Sequence, residues 1–131
     1  MVQKIYLGTC VALFLPYGLY CFVNPSVLTD AAGIQAISAT GSTELRAMYG
    51  GLQAAIGALA LSAMFRASLT NSFLVTLATF TTGLLLARLA GLTIDGGYTS
   101  YTGMALGIEA TLLSGALYLL KVAISSKPDE V

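Results

Sequence analysis

Two charged side chains stand deep inside apolar runs. Arg88 in "LLLARLAG" (84–91) and Glu109 in "ALGIEATLL" (105–113) are surrounded by aliphatic, small and hydroxyl residues. A guanidinium and a carboxylate in such surroundings can pair with each other, take up and release a proton, or bind the charged head of another molecule. A third polar segment, "ELRAMYGG" (44–51), opens another apolar run. Arg46, Tyr49, Gly50 and Gln53 follow the i, i+3, i+4, i+7 spacing that puts residues on one helix face, with Glu44 just ahead of them.

Other chemistry is poorly supplied. The chain has no histidine, and Cys10 and Cys21 are its only soft ligands, so neither a metal site nor a cofactor site is expected. The two cysteines are about 16 Å apart along one expected helix, too far to be bridged while it is intact, and read as small packing residues. A serine or cysteine nucleophile would lack an evident activating base. The expectation is therefore a protein that is not an enzyme. Six basic and six acidic residues cancel, leaving no basic surface for nucleic acid.

The surroundings define the class. Of 131 residues, 56% are hydrophobic and 9% charged. A small soluble chain needs far more polar residues to cover its surface. Apolar stretches at about 5–23, 46–65, 72–93 and 101–122 each approach the ~20 residues that cross the hydrocarbon core as a helix. The expectation is a single all-α domain, an integral membrane four-helix bundle. Asn24-Pro25 follows the first stretch in place of a small-residue cleavage site, so that stretch reads as a retained helix, with Pro16 as a candidate kink. Lys4, Arg66, Lys121 and Lys127 lie at the N-terminus, the second loop and the C-terminus, whereas Asp30 and Asp95 lie in the first and third loops. The positive-inside rule then places both termini in the cytoplasm. The long first loop, 24–43, is expected on the other side. Asn24-Pro25 can start a short interfacial helix that Gly33 stops, and "SATGST" (38–43) reads as a turn in which Ser42 or Thr43 caps the second span.

In lipid, helices associate through close contact and interhelical hydrogen bonds. Small residues recur every fourth position at Gly50, Ala54, Ala58 and Ser62, beside Gly51 and Ala55, and again at Gly103, Gly107, Thr111 and Gly115. Both stripes suit helix packing within the bundle or between two copies. Thr76, Thr79, Thr81 and Thr82 can bond across helices or back to their own carbonyls.

Counted from the non-cytoplasmic boundary, Arg88 lies about 7 Å deep and Glu109 about 12 Å. A guanidinium spans that difference, so a bidentate Arg88–Glu109 pair is expected. Arg46, Tyr49 and Gln53 approach from the same side, with Asp95, Tyr98 and Tyr101 at the mouth. The cluster is either an internal network that fixes helix order, or a polar-headed pocket for a lipid, quinone or other amphiphile. Arg46 and Arg88 exceed what Glu109 alone neutralises, and a spare arginine suits an anionic head group.

"ELRAMYGGLQAAIGAL" (44–59), with "RLAGLTIDGG" (88–97) and "GIEATL" (107–112), resembles domain of unknown function 4345, a family of small bacterial membrane proteins with four helices. The resemblance spans nearly the whole chain. It implies a bacterial inner-membrane setting and a four-helix bundle, and Glu44, Arg46, Tyr49, Arg88 and Glu109 match the pattern; it carries no activity. The expected function is thus a membrane accessory or amphiphile-binding subunit, with membrane lipid, a homo-oligomer or a larger membrane complex as partners. The alternative is a proton-coupled carrier or channel using Glu109.

Overall fold

The computed structural model describes residues 1–125, and every regular element among them is helical. Four stretches are long and apolar enough to cross a membrane: Val2–Val23, Ala39–Phe65, Ala67–Asp95 and Ser100–Ser125. That pattern fits a multi-pass membrane protein. Lys127, part of the charge pattern, lies outside the described residues. The chain divides into two compact units, Met1–Ala67 and Ser68–Val131.

In the first unit, α1 (Val2–Val23) runs without a break through Pro16. The short α2 (Val27–Ala32) follows the turn at Asn24-Pro25, although Asn24 does not cap it: its side chain accepts from the Ser26 hydroxyl at 2.6 Å. Gly33 ends α2 in the left-handed region at φ 69°, where a Cβ would be strained. The next helix starts earlier than expected. Ser38, in extended backbone, accepts the Gly41 N–H at 3.0 Å and caps α3 (Ala39–Leu45), so Ser42 and Thr43 lie inside the helix. The chain then passes through a π-helical turn, Arg46–Gly51, into α4 (Leu52–Phe65).

Helices α1 and α4 are antiparallel, and glycines set their crossing. A Cβ built on Gly18 would overlap the Ala54 backbone and lie 2.8 Å from the Gly50 carbonyl oxygen. One on Gly50 would come within 2.7 Å of the Phe22 Cα, and one on Gly57 within 2.6 Å of the Leu15 amide nitrogen. The backbones therefore approach more closely than any side-chained residue permits, which increases dispersion contact where no hydrophobic effect operates between helices.

The second unit begins with a 3₁₀ turn (Ala67–Leu69) and pairs α5 (Thr70–Asp95) with α6 (Ser100–Ser125). Gly96, at φ 69°, terminates α5, and the short link forces α6 to return antiparallel. Buried residues recur at helical spacing: Thr70, Phe73, Leu74, Leu77, Ala78 and Thr81 on α5, and Glu109, Leu112, Ala116 and Leu119 on α6. Arg88 lies seven residues beyond Thr81 and continues the α5 stripe. Thr81 and Thr82 donate to the Leu77 and Ala78 carbonyls of their own helix, each at 2.7 Å.

Candidate functional site

The Arg88–Glu109 pair forms. Arg88 donates from Nη2 to Glu109 Oε1 at 2.7 Å and from Nε to both carboxylate oxygens at 3.2 Å. Its Nε–Nη2 edge thus grips the carboxylate as a fork, the geometry that makes guanidinium–carboxylate pairs strong. Because α5 extends to Asp95, Arg88 lies about 10 Å from that helix end and Glu109 about 13 Å from the start of α6. The two are closer in level than the expected boundaries implied. The Glu109 side chain is 8% exposed and that of Arg88 27%. Burying the carboxylate carries a desolvation cost that the fork must offset; the Arg88 side chain is less completely buried.

Arg46 has a different partner. Its Nη1 donates to the carbonyls of Phe22 and of Val23, the latter at 3.0 Å. These carbonyls belong to the last turn of α1, where acceptors lack intrahelical donors and a helix carries partial negative charge. The π-helical turn that begins at Arg46 sets this contact. Its bonding is visible in the Leu52 N–H, which reaches the Ala47 carbonyl five residues back. A π turn holds one more residue than an α turn, so it lets Arg46 lie over the end of α1 while Gly50 stays against Phe22.

Arg46, Tyr49 and Gln53 belong to the first unit; Arg88, Asp95 and Glu109 belong to the second. Tyr49 and Gln53 are half-buried, whereas Glu44 and Asp95 are exposed and form no ion pair among the described residues. Tyr98 is exposed with its hydroxyl against Gly103, and Tyr101 is half-buried. No group of three metal-ligating side chains assembles among the described residues. Cys10 and Cys21 are free and buried on α1.

Within the chain, only part of each small-residue stripe is covered. On α4 the buried positions are Gly57, Ala60 and Ala63, continuing from Gly50; Ala58 and Ser62 are exposed. On α6, Gly107 and Thr111 are exposed, and a Cβ on Gly107 meets nothing within 4 Å. Gly51 is exposed too, its nearest neighbour being the Arg46 carbonyl at 3.8 Å. The reason is geometric. Steps of four residues drift by about 40° each on a helix of 3.6 residues per turn, so a strict four-residue repeat rotates off the contact face. Alternating steps, as in Gly50–Ala54–Gly57, stay on it. Gly18 and Gly57 carry the tightest contacts to another backbone and were visible as glycines within apolar runs; what was missing was the partner helix.

The described residues define a class: an all-helical protein with four membrane-length helices, two glycine-close backbones and one arginine–glutamate pair within its apolar helices. The family model described as Domain of unknown function (DUF4345) matches residues 2–120, and the chain belongs to that family. No curated protein and no solved structure matches it.

Proposed function

We propose that this protein is a non-enzymatic subunit of the bacterial inner membrane, with both termini cytoplasmic, that holds the polar end of an amphiphile such as a lipid or quinone at the Arg88–Glu109 pair. One observation carries the reading: an ion pair lies about two turns inside apolar helices, with its carboxylate side chain 8% exposed and its arginine side chain 27% exposed. A charge at that depth is unfavourable by a few kcal/mol, so its retention is a functional indication by default. A guanidinium beside a carboxylate offers both donors and acceptors to a polar head group. The orientation is supported by Lys4, Arg66 and Lys121, all exposed, at the start of α1, the end of α4 and near the end of α6.

The test is native mass spectrometry of the full chain extracted in polymer discs. The wild type is expected to carry one lipid- or quinone-sized mass per chain more than Arg88→Gln/Glu109→Gln, which removes the charges without stranding either. A retained protein instead of a small molecule makes the chain an accessory subunit. Identical masses on the wild type and the double variant overturn the amphiphile site and leave the pair as an interhelical fastener. The burial of Glu109 also suits a proton-coupled carrier or channel; proton flux into proteoliposomes that Glu109→Gln abolishes would favour that second reading.

A further inference from the structure

We propose that the Nε–Nη2 edge of Arg46 binds the phosphodiester of a membrane lipid at the end of α1. The inference shares with the proposed function the placement of the chain in a membrane, but needs nothing bound at Arg88. The two arginines differ edge by edge. Arg88 spends its Nε–Nη2 fork on both oxygens of Glu109. Arg46 uses only Nη1, on the Phe22 and Val23 carbonyls. Among the described residues nothing accepts from the Arg46 Nε or Nη2, and Glu44, the nearest acid in sequence, forms no ion pair with it.

Three features make that edge a site. The fork matches a group with two anionic oxygens at fixed separation, which a phosphodiester supplies in its non-bridging pair. The two carbonyl bonds pin the guanidinium beforehand, so less rotamer freedom is lost when a ligand arrives. Those carbonyls are neutral, and the end of a helix supplies only about half a unit of negative charge, which leaves the cation without a full counter-charge. Apolar surface adjoins it: Phe22, Val23 and Met48 are 53%, 74% and 54% exposed. The acyl chains of a lipid held by its phosphate can cover these side chains; a free phosphate ion cannot.

The experiment titrates the full chain, in a neutral maltoside detergent, with dioleoyl phosphatidylglycerol and reads retention by native mass spectrometry. One lipid per chain is expected on the wild type. Arg46→Lys keeps the charge and a donor for the α1 carbonyls but loses the fork, and should retain about tenfold less, the ratio of roughly one charge-assisted hydrogen bond. Arg46→Gln should retain less still, and Arg66→Gln, an exposed arginine at the other end of α4, should match the wild type. Equal retention by wild type and Arg46→Lys overturns the site. An equal loss in Arg66→Gln does so as well, by reducing the effect to surface charge. Displacement by excess inorganic phosphate, with phosphate alone giving the same protection against thermal unfolding, overturns the lipid as its occupant. The Arg88→Gln/Glu109→Gln variant separates this site from the one above: lipid lost there but kept in Arg46→Lys overturns the Arg46 site alone.

Discussion

The α1–α4 hairpin and the α5–α6 hairpin are fastened by opposite means. In the first, atoms are missing: Gly18, Gly50 and Gly57 remove the Cβ positions that would hold the backbones apart. In the second, a long cation reaches a buried anion. The difference teaches where each hairpin is vulnerable. A contact made of absent side chains fails when an atom is added, whereas an ion pair fails when one partner is taken away. Each hairpin also has an arginine with a different acceptor, carbonyls for Arg46 and a carboxylate for Arg88.

The largest effect should therefore come from the smallest addition. At Gly57 a Cβ would lie 2.6 Å from the Leu15 nitrogen, 2.7 Å from its Cβ and 2.8 Å from its Cα. Two of these three atoms are backbone, so no rotamer change relieves the overlap and the helices must separate. Overpacking typically costs about 1–3 kcal/mol, and a backbone obstacle belongs at or above the top of that range. Gly57→Ala should lose about 3 kcal/mol in detergent unfolding. An unchanged midpoint would show that the crossing is looser than its glycines imply.

Next comes Glu109→Gln, which leaves the Arg88 cation facing a neutral amide. Breaking a buried pair costs about 3–5 kcal/mol, and the partial exposure of Arg88 lowers the expectation to about 2–3 kcal/mol. The double-mutant cycle with Arg88→Gln should show coupling of at least ~1 kcal/mol. Additive losses would mean that the fork contributes no pairwise energy, and the contrast between the hairpins would then reduce to packing alone.

Much of this was legible in the residues. The four apolar stretches, the stop at Gly33 and the meeting of Arg88 with Glu109 follow from hydropathy, left-handed glycine and a 1.5 Å rise, all of them local or one-dimensional quantities. The early start of the second long helix was missed because Ser38 competes with Ser42 and Thr43 as a cap, and all three have suitable hydroxyls. The π turn was invisible: "RAMYGG" has no residue that demands i→i−5 bonding, and its cause lies in fitting Gly50 and Arg46 to the same end of α1. The partner of Arg46 was missed for a similar reason, since every residue offers a carbonyl and only the fold says which ones lack donors.

The smallest effect sharpens the comparison. Gly107 looks in sequence like Gly57: each is a glycine in an apolar helix with small residues three or four positions away. Gly107 lies about 200° around α6 from the buried Glu109, and a Cβ there meets nothing within 4 Å. Adding a side chain there meets no backbone, and replacing glycine within a helix gains about 0.5–1 kcal/mol of propensity. Gly107→Leu should leave the unfolding midpoint unchanged or slightly raised in the dissociated chain. The same variant, followed by cross-linking in native membranes, then reads contacts beyond the chain. If a second copy or another subunit packs on the Gly103–Gly107–Thr111 stripe, leucine removes that cross-link without touching the monomer's stability. A loss of monomer stability would instead show that α6 uses both of its faces internally, and the distinction between a glycine that admits a neighbour and one that merely faces outward would fail.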